Sequence, residues 1–145
     1  MTDLSLETSV VINAPAEKVW DALVNPKMIK KYLFGTDAVS DWKVGSPLNF
    51  KGIYEGKEYF DKGTILKSEP NKIFQYTYFS SFSNLEDKEE NYQIITYKLS
   101  KEKDGTKLTL IQENIPTQES IEHSEQNWTS VLNTLKDILE HPDKN

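Results

Sequence analysis

The chain contains no cysteine and no arginine, and it has only two histidines among its 145 residues. Without cysteine it forms no disulfide, no thiolate metal site and no cysteine nucleophile. Two histidines are too few for a three-histidine metal site. All 17 basic residues are lysine, against 23 acidic residues, which gives a net charge of −6. An acidic chain without bidentate guanidinium groups binds phosphate backbones poorly, so we expect no nucleic-acid partner.

Long apolar runs are also missing. No segment approaches the roughly 20 residues that cross a bilayer. Residues 1–8 show neither the basic stretch nor the apolar stretch of a secretory signal. We therefore expect no membrane insertion and a cytoplasmic location. Because no linker, repeat or low-complexity segment interrupts the sequence, residues 1–145 are predicted to form a single domain.

Aromatic side chains, in contrast, are plentiful. Six Phe, seven Tyr and three Trp make up 11% of a chain whose mean hydropathy is −0.63. In a chain this polar, large rings must supply much of the apolar surface. Rings close a core, and they also line ligand cavities.

The periodicity of apolar residues changes several times along the chain. Alternation predicts strands at 4–13, 39–42, 48–54, 58–69, 73–79, 92–102 and 106–114. After the first strand, Pro15 starts a predicted helix that Asn25-Pro26 ends, and a second short helix ends at Gly35. A stripe from Ile121 to Leu139 predicts a final helix over 118–140, with Thr117 as its N-cap and His141-Pro142 at its end.

This order of elements predicts an α+β layer. Strands joined by short turns pair antiparallel, and Asp104-Gly105 is a strong hairpin signal. The long helix must bury its apolar stripe, and one face of the sheet is the large apolar surface available to it. With two small helices holding one end of the layer open, we expect a space between sheet and helix.

The chain resembles the START-like, helix-grip superfamily, and within it the small proteins related to the C-terminal domain of the activator of the heat-shock-protein-90 ATPase. The matching blocks cover nearly the whole chain and occur in the family's order; they are residues 12–23, 25–26, 40–45, 63–66, 69–73, 105–110 and 128–140. The resemblance implies a curved antiparallel sheet of about six to seven strands wrapped around the long C-terminal helix. Two short helices would follow strand 1, and a cavity would hold an apolar or amphipathic ligand.

The resemblance leaves three functions open. The first is a module that binds an apolar or amphipathic small molecule. The second is a protein-interaction module with a chaperone partner, as in the activator. The third is a cyclase-like or hydrolase-like enzyme that uses the same pocket. Members of the superfamily share no catalytic set, so we assign no catalytic residue, and we expect no cofactor.

Large apolar and tyrosine side chains between sheet and long helix are the candidate ligand-cavity residues. A buried tyrosine hydroxyl needs a partner, so the tyrosines could orient a polar group of a ligand. The alternative is that these side chains simply fill the core. The candidates are Trp20, Phe50, Ile65, Phe74, Tyr76, Tyr78, Tyr97, Leu108, Leu110, Gln112, Trp128, Val131, Leu132 and Leu135.

Charged residues give weaker signals. Asp61 and Glu113 are the carboxylates nearest to strand ends and are the candidates for acid–base chemistry, against the ordinary alternative of solvated carboxylates. Glu119 and His123 are four residues apart on the last helix, but two ligands do not fill a tetrahedral metal site, so we expect no metal. The acidic segment 80–91 is predicted to be a loop. The alternatives for its role are that it gates the cavity, that it contacts a basic partner or the lysines of 27–31, or that it is simply solvated.

Overall fold

A computed structural model describes residues 2–81 and 83–141 and shows seven strands and three α-helices in that part of the chain. The helices are α1 (Ala16–Val24), α2 (Pro26–Tyr32) and α3 (Gln118–Glu140). The strands are β1 (Ser5–Ile12), β2 (Asp37–Ser40), β3 (Pro47–Tyr54), β4 (Lys57–Glu69), β5 (Ile73–Tyr78), β6 (Gln93–Glu102) and β7 (Gly105–Glu113).

All seven strands belong to one antiparallel sheet in the order β1-β7-β6-β5-β4-β3-β2. Each strand from β2 to β6 pairs with the one that follows it in the chain. Short turns join β3 to β4, β4 to β5 and β6 to β7, whereas residues 41–46 join β2 to β3 and the longer segment 79–92 joins β5 to β6. Strand β1 closes the far edge against β7. The register brings Phe74 opposite Tyr97, and Tyr97 opposite Leu110. Because partners in register share a face, these large apolar side chains line up across the concave side.

The two short helices start where the sequence predicts. Asn25 ends α1 and caps α2, since its side chain accepts a hydrogen bond of 3.0 Å from the amide of Lys27. Pro26 follows at the first helical position, where its missing N–H costs nothing. Together these two residues turn the chain sharply, so that α1 and α2 lie against each other.

Helix α3 packs across the concave face and is fastened at both ends. The Thr117 side chain accepts from the Ser120 amide at 3.1 Å and caps its start. Near its end, the Lys136 ammonium donates to the Val11 carbonyl at 2.7 Å, and Glu140 accepts from the Asn13 amide at 2.7 Å. These contacts tie the last two turns to the end of β1. The predicted stop at Pro142 lies outside the described residues.

Strand β2 differs from its predicted position. The sequence predicts it over 39–42, whereas it spans Asp37–Ser40. The chain leaves the sheet because Trp42 adopts a left-handed backbone conformation with φ +63°. Its side chain then joins the wall of a small cavity instead of continuing a strand.

None of the helices within 2–81 and 83–141 combines the length and the apolar character needed to cross a membrane. Their apolar residues instead face the sheet. In α3 the buried side chains are Val131, Leu132, Leu135 and Ile138.

Gly63 allows β4 to approach β5, and we predict that Gly63→Ala severely destabilises the domain. A Cβ atom at this position would lie 1.6 Å from the Thr77 carbonyl oxygen, which backbone pairing holds in place. We expect a loss of about 3 kcal/mol or more in the free energy of unfolding, measured by urea denaturation. The neighbouring exposed Thr64 provides the control, and a Gly63→Ala protein as stable as Thr64→Ala would contradict this account.

Candidate functional site

A small cavity lies between the two short helices and the concave face of the sheet. Its volume is about 10 Å³, which is close to the least space that holds one water molecule. Residues from α1, from α2 and its C-terminal end, from the β2–β3 connection and from the three strands β3, β5 and β6 form its wall. They are Leu23, Ile29, Tyr32, Leu33, Trp42, Leu48, Phe50, Phe74, Tyr76 and Tyr97.

Leu33 and Trp42 form the rim of this cavity. They are only partly buried, whereas the other wall residues are buried. Trp42 is held over the cavity by its left-handed backbone, and its amide donates to the Ser40 hydroxyl at 3.0 Å. A bulky residue with positive φ is uncommon and costs conformational energy. Leu33 and Trp42 therefore separate the cavity from water.

Aromatic rings fill most of the space behind the rim. The Phe74 ring is the centre of this cluster, with ring centroids 6.0 Å from Trp20, 6.3 Å from Trp42 and 5.5 Å from Tyr76. The Phe50 ring lies 5.8 Å from Tyr76. Edge-to-face and tilted arrangements at these distances are favourable. The rings thus make a wall that is apolar over most of its area.

Three tyrosine hydroxyls supply the polar atoms of the wall. The Tyr32 hydroxyl donates to the Ala22 carbonyl at 2.7 Å. Tyr76 and Tyr97 lie diagonally across β5 and β6, since Tyr97 is opposite Phe74 and Tyr76 is opposite Ile95 in the register. Burial raises the pKa of all three phenols well above the usual range, so they remain neutral. The wall therefore offers neutral hydrogen-bonding groups only.

Of the two predicted acid–base candidates, Glu113 is exposed, whereas Asp61 is buried next to this region at 7% exposure. Its carboxylate accepts from the Tyr78 hydroxyl at 2.6 Å, from the Ser81 amide at 2.9 Å and from the Ser81 hydroxyl at 3.3 Å. Burial, followed by the nearby Asp61 charge, raises the pKa of Tyr78. Three donors occupy the carboxylate, so in this arrangement Asp61 anchors the chain after β5 to β4.

Gln112 and Asn114 at the end of β7 also bind protein groups. The Trp128 indole N–H of α3 donates to Gln112 Oε1 at 2.8 Å, and the Gln112 amide donates to Gln93. The Asn114 amide donates at 2.9 Å to the carbonyls of Glu90 and Tyr92. These bonds fix α3 and the acidic segment to the sheet, away from the small cavity.

The fourteen candidate cavity residues therefore divide into two groups. Phe50, Phe74, Tyr76 and Tyr97 line the cavity. The other ten surround it or pack elsewhere between α3 and the sheet, namely Trp20, Ile65, Tyr78, Leu108, Leu110, Gln112, Trp128, Val131, Leu132 and Leu135. The structure adds Leu23, Ile29, Tyr32, Leu33, Trp42 and Leu48. Their apolar spacing was visible in the sequence, but no pattern showed which part of the sheet α2 would cover.

The acidic segment 80–91 forms an ion pair with Lys62 and not with the predicted lysines of 27–31. Asp87 forms an ion pair with Lys62 of β4, and the Tyr92 hydroxyl donates to Asp87 at 2.6 Å. Lys30 of α2 pairs with Asp37 at 3.0 Å. Among the described residues no group of three or more His, Asp or Glu side chains could hold a metal ion, and His123 is exposed.

A family model described as "Activator of Hsp90 ATPase homolog 1-like protein" matches residues 13–140. None of the curated proteins compared with the chain matches it. Among solved structures, ChR145 from Cytophaga hutchinsonii is 46% identical, with a TM-score of 0.84; the match covers 100% of this chain and 99% of that one.

Two more distant structures show the same fold. A protein from Chromobacterium violaceum is 24% identical with a TM-score of 0.78, over 94% of this chain and 96% of that one. The Aha1 dimer from Colwellia psychrerythraea is 22% identical with a TM-score of 0.76, over the same shares of the two chains.

The buried tyrosines predict a loss of stability at alkaline pH. Above pH about 10 the unfolded chain releases its phenol protons, whereas the folded chain keeps those of Tyr76 and Tyr97. The unfolded state then binds fewer protons, so stability falls as pH rises, by about 1.4 kcal/mol per pH unit for each such tyrosine. Below that pH both states are protonated and the effect vanishes.

This slope can be measured by urea unfolding between pH about 8 and about 11. Replacing Tyr76 and Tyr97 by Phe should make the alkaline decline shallower, because two of the retained protons are removed. Tyr54, which is 61% exposed, provides the control, and Tyr54→Phe should leave the curve unchanged. Identical slopes for the wild type and the double variant would refute this explanation.

Proposed function

The chain belongs to the family of Activator of Hsp90 ATPase homolog 1-like proteins, and from that premise we propose that it binds an apolar or amphipathic small molecule at the cavity behind Trp42. The observation that supports this proposal is a ring-lined space with three neutral tyrosine hydroxyls, closed from water by two half-buried side chains. Ligand sites commonly combine an apolar wall with a few polar groups.

The present volume is too small for any organic ligand, so binding requires part of the wall to move. Trp42 is the side chain best placed to move. It lies at the rim, follows the short edge strand β2, and belongs to a connection outside the regular sheet. Its left-handed φ of +63° is strained for a bulky residue, so a movement of this connection that brings φ to negative values also releases backbone strain.

We do not extend the proposal to catalysis. The wall residues within the described chain include no carboxylate and no imidazole. The nearest buried acid, Asp61, has its oxygens occupied by three donors. A general acid or base must reach a proton of the substrate, and this arrangement offers no such group at the cavity.

We predict that Trp42→Gly increases the affinity for ethylbenzene by at least about tenfold. The variant removes the ring at the rim, and glycine adopts positive φ without strain. Cavities of about 150 Å³ lined by apolar residues bind single-ring hydrocarbons. Amide chemical-shift changes around the cavity, followed by NMR during titration, give the dissociation constants.

Val44→Ala is the matched control, because Val44 lies on the same connection, is 61% exposed and is not part of the wall. It should bind ethylbenzene as the wild type does. The proposal fails if neither the wild type nor Trp42→Gly shows shifts that map to the cavity.

Exposed apolar side chains around β2 favour a second candidate, a protein-interaction module with a chaperone partner. Phe34, Val39 and Val44 are 63%, 53% and 61% exposed. Phe34 precedes the edge strand β2, Val39 lies on it and Val44 follows it. An edge strand leaves backbone N–H and C=O groups available for pairing with another chain. Apolar side chains beside such an edge are typical of interaction surfaces.

This second candidate predicts stimulation of the ATPase of a heat-shock-protein-90 chaperone by the wild-type chain. Phe34→Ser/Val44→Ser should then require about fivefold more protein for the same stimulation. Val11→Ser is the control, since Val11 is 45% exposed on β1, at the opposite edge of the sheet from β2. Equal activity of the wild type and the double variant would exclude β2 as the contact surface.

A further inference from the structure

The Trp42 indole fills the outer part of the small cavity, against the ring at its centre. Its ring centroid lies 6.3 Å from that of Phe74, and the two ring planes are inclined by 38°. The Trp20 ring meets the same Phe74 ring nearly at a right angle, at 84°. The protein thus keeps a flat, fused two-ring group of its own at the rim of the cavity.

The short connection that carries Trp42 is anchored at both of its ends. Strand β2 precedes it, and backbone hydrogen bonds join Gly45 and Ser46 to Ile65 of β4 at 2.8 and 3.0 Å. Residues 41–44 lie between these anchors, outside the strands, and Trp42 is the wall residue among them. A conformational change confined to 41–44 therefore moves Trp42 and leaves the sheet paired.

Trp42 is easier to displace than the other rings of the wall. Its side chain is half-buried, whereas those of Phe50, Phe74 and Tyr76 are at most 6% exposed. Because part of its ring is already in water, its exit transfers less apolar surface to water. A rearrangement that brings its φ of +63° to negative values also releases backbone strain.

The space that Trp42 leaves has the size and shape of a flat, fused pair of rings. Protein interiors are closely packed, and a wall left without neighbours loses its dispersion contacts. A rigid planar molecule of similar size restores those contacts with Phe74. A single ring leaves part of the space empty, and an alkyl chain leaves gaps beside flat rings and loses rotational freedom when it binds.

The wall also disfavours charged molecules. The wall residues within the described chain include no lysine, no histidine and no carboxylate. An ion that enters this space loses its water and finds no opposite charge. The composition of the wall therefore favours a neutral ligand.

We propose that the Trp42 indole is an internal occupant of the ligand site, and that neutral, planar molecules with two fused rings displace it and take its place against Phe74. The site then selects such molecules over alkyl chains. This inference rests on the proposed function, because it requires a small molecule to bind at the cavity. It adds the chemical class of that molecule and the residue that it displaces.

Three neutral probes test the class of ligand. They are 3-methylindole, which has the ring system of the tryptophan side chain, ethylbenzene, which has a single ring, and 1-octanol, which has an alkyl chain. NMR titration of the wild type gives their dissociation constants. We expect 3-methylindole to bind at least about threefold more tightly than ethylbenzene and at least about tenfold more tightly than 1-octanol.

Nuclear Overhauser effects in the wild type report the displacement directly. In the free protein they connect the rings of Trp42 and Phe74. Binding of 3-methylindole should remove these signals and create new ones between the ligand and Phe74. The signals between the rings of Trp128 and Tyr97, whose centroids lie 6.1 Å apart, should persist and serve as the control.

Trp42→Gly then measures the competition between side chain and ligand. Both 3-methylindole and ethylbenzene must displace the same ring, so both should gain affinity by a similar factor of at least about ten, and their order should be kept. Trp128→Phe is the matched control, because Trp128 is also half-buried but is not part of the wall. It should change both affinities less than about twofold.

Two outcomes separate the inference from the proposed function. If the probes bind at the cavity but 3-methylindole binds no more tightly than 1-octanol, or if the Trp42–Phe74 signals persist in the complex, the inference is wrong while the binding site stands. If none of the three probes binds to the wild type or to Trp42→Gly, the proposed function fails and the inference fails with it.

Discussion

The concave face of the sheet is wider than one helix can cover. Seven strands at about 4.8 Å spacing span about 29 Å, whereas a helix with its side chains is about 10 Å wide. Helix α3 covers one side, where the Trp128 ring lies 6.1 Å from Tyr97 and its indole N–H reaches Gln112. The other side, over β3 to β5, must be closed by α1, α2 and Trp42, and the small cavity lies in that part.

The elements that depend on local signals could be predicted closely. Helix α3 begins after Thr117 and extends from Gln118 to Glu140, as its cap and its apolar stripe indicate. The hairpin between β6 and β7 also forms at the predicted place, but for a partly different reason. Lys103, not glycine, takes the positive φ of the turn. Gly105 is needed because a Cβ atom there would lie 2.3 Å from the Ile12 carbonyl oxygen.

Which residues form the cavity wall depends on how the helices pack on the sheet, so the wall could be predicted only in part. Strand alternation put Phe74, Tyr76 and Tyr97 on the inner face, but it could not separate the half covered by α3 from the half covered by α2. The inward position of Trp42 was not predicted. It requires a left-handed backbone conformation, which is rare for a bulky residue and has no signal in the sequence. The cavity-wall role of α2 likewise follows from packing and not from its periodicity.

A core selected for stability alone has little reason to keep two hydroxyls at positions 76 and 97. Phenylalanine would fill nearly the same volume without burying a polar atom. Elsewhere in the same core the tyrosine hydroxyls have protein partners, as Tyr32 has the Ala22 carbonyl and Tyr78 has Asp61. Departures from the most stable packing are concentrated at functional sites. Tyr76 and Tyr97 are such departures, and they lie in the wall of the small cavity that half-buried Trp42 closes from water.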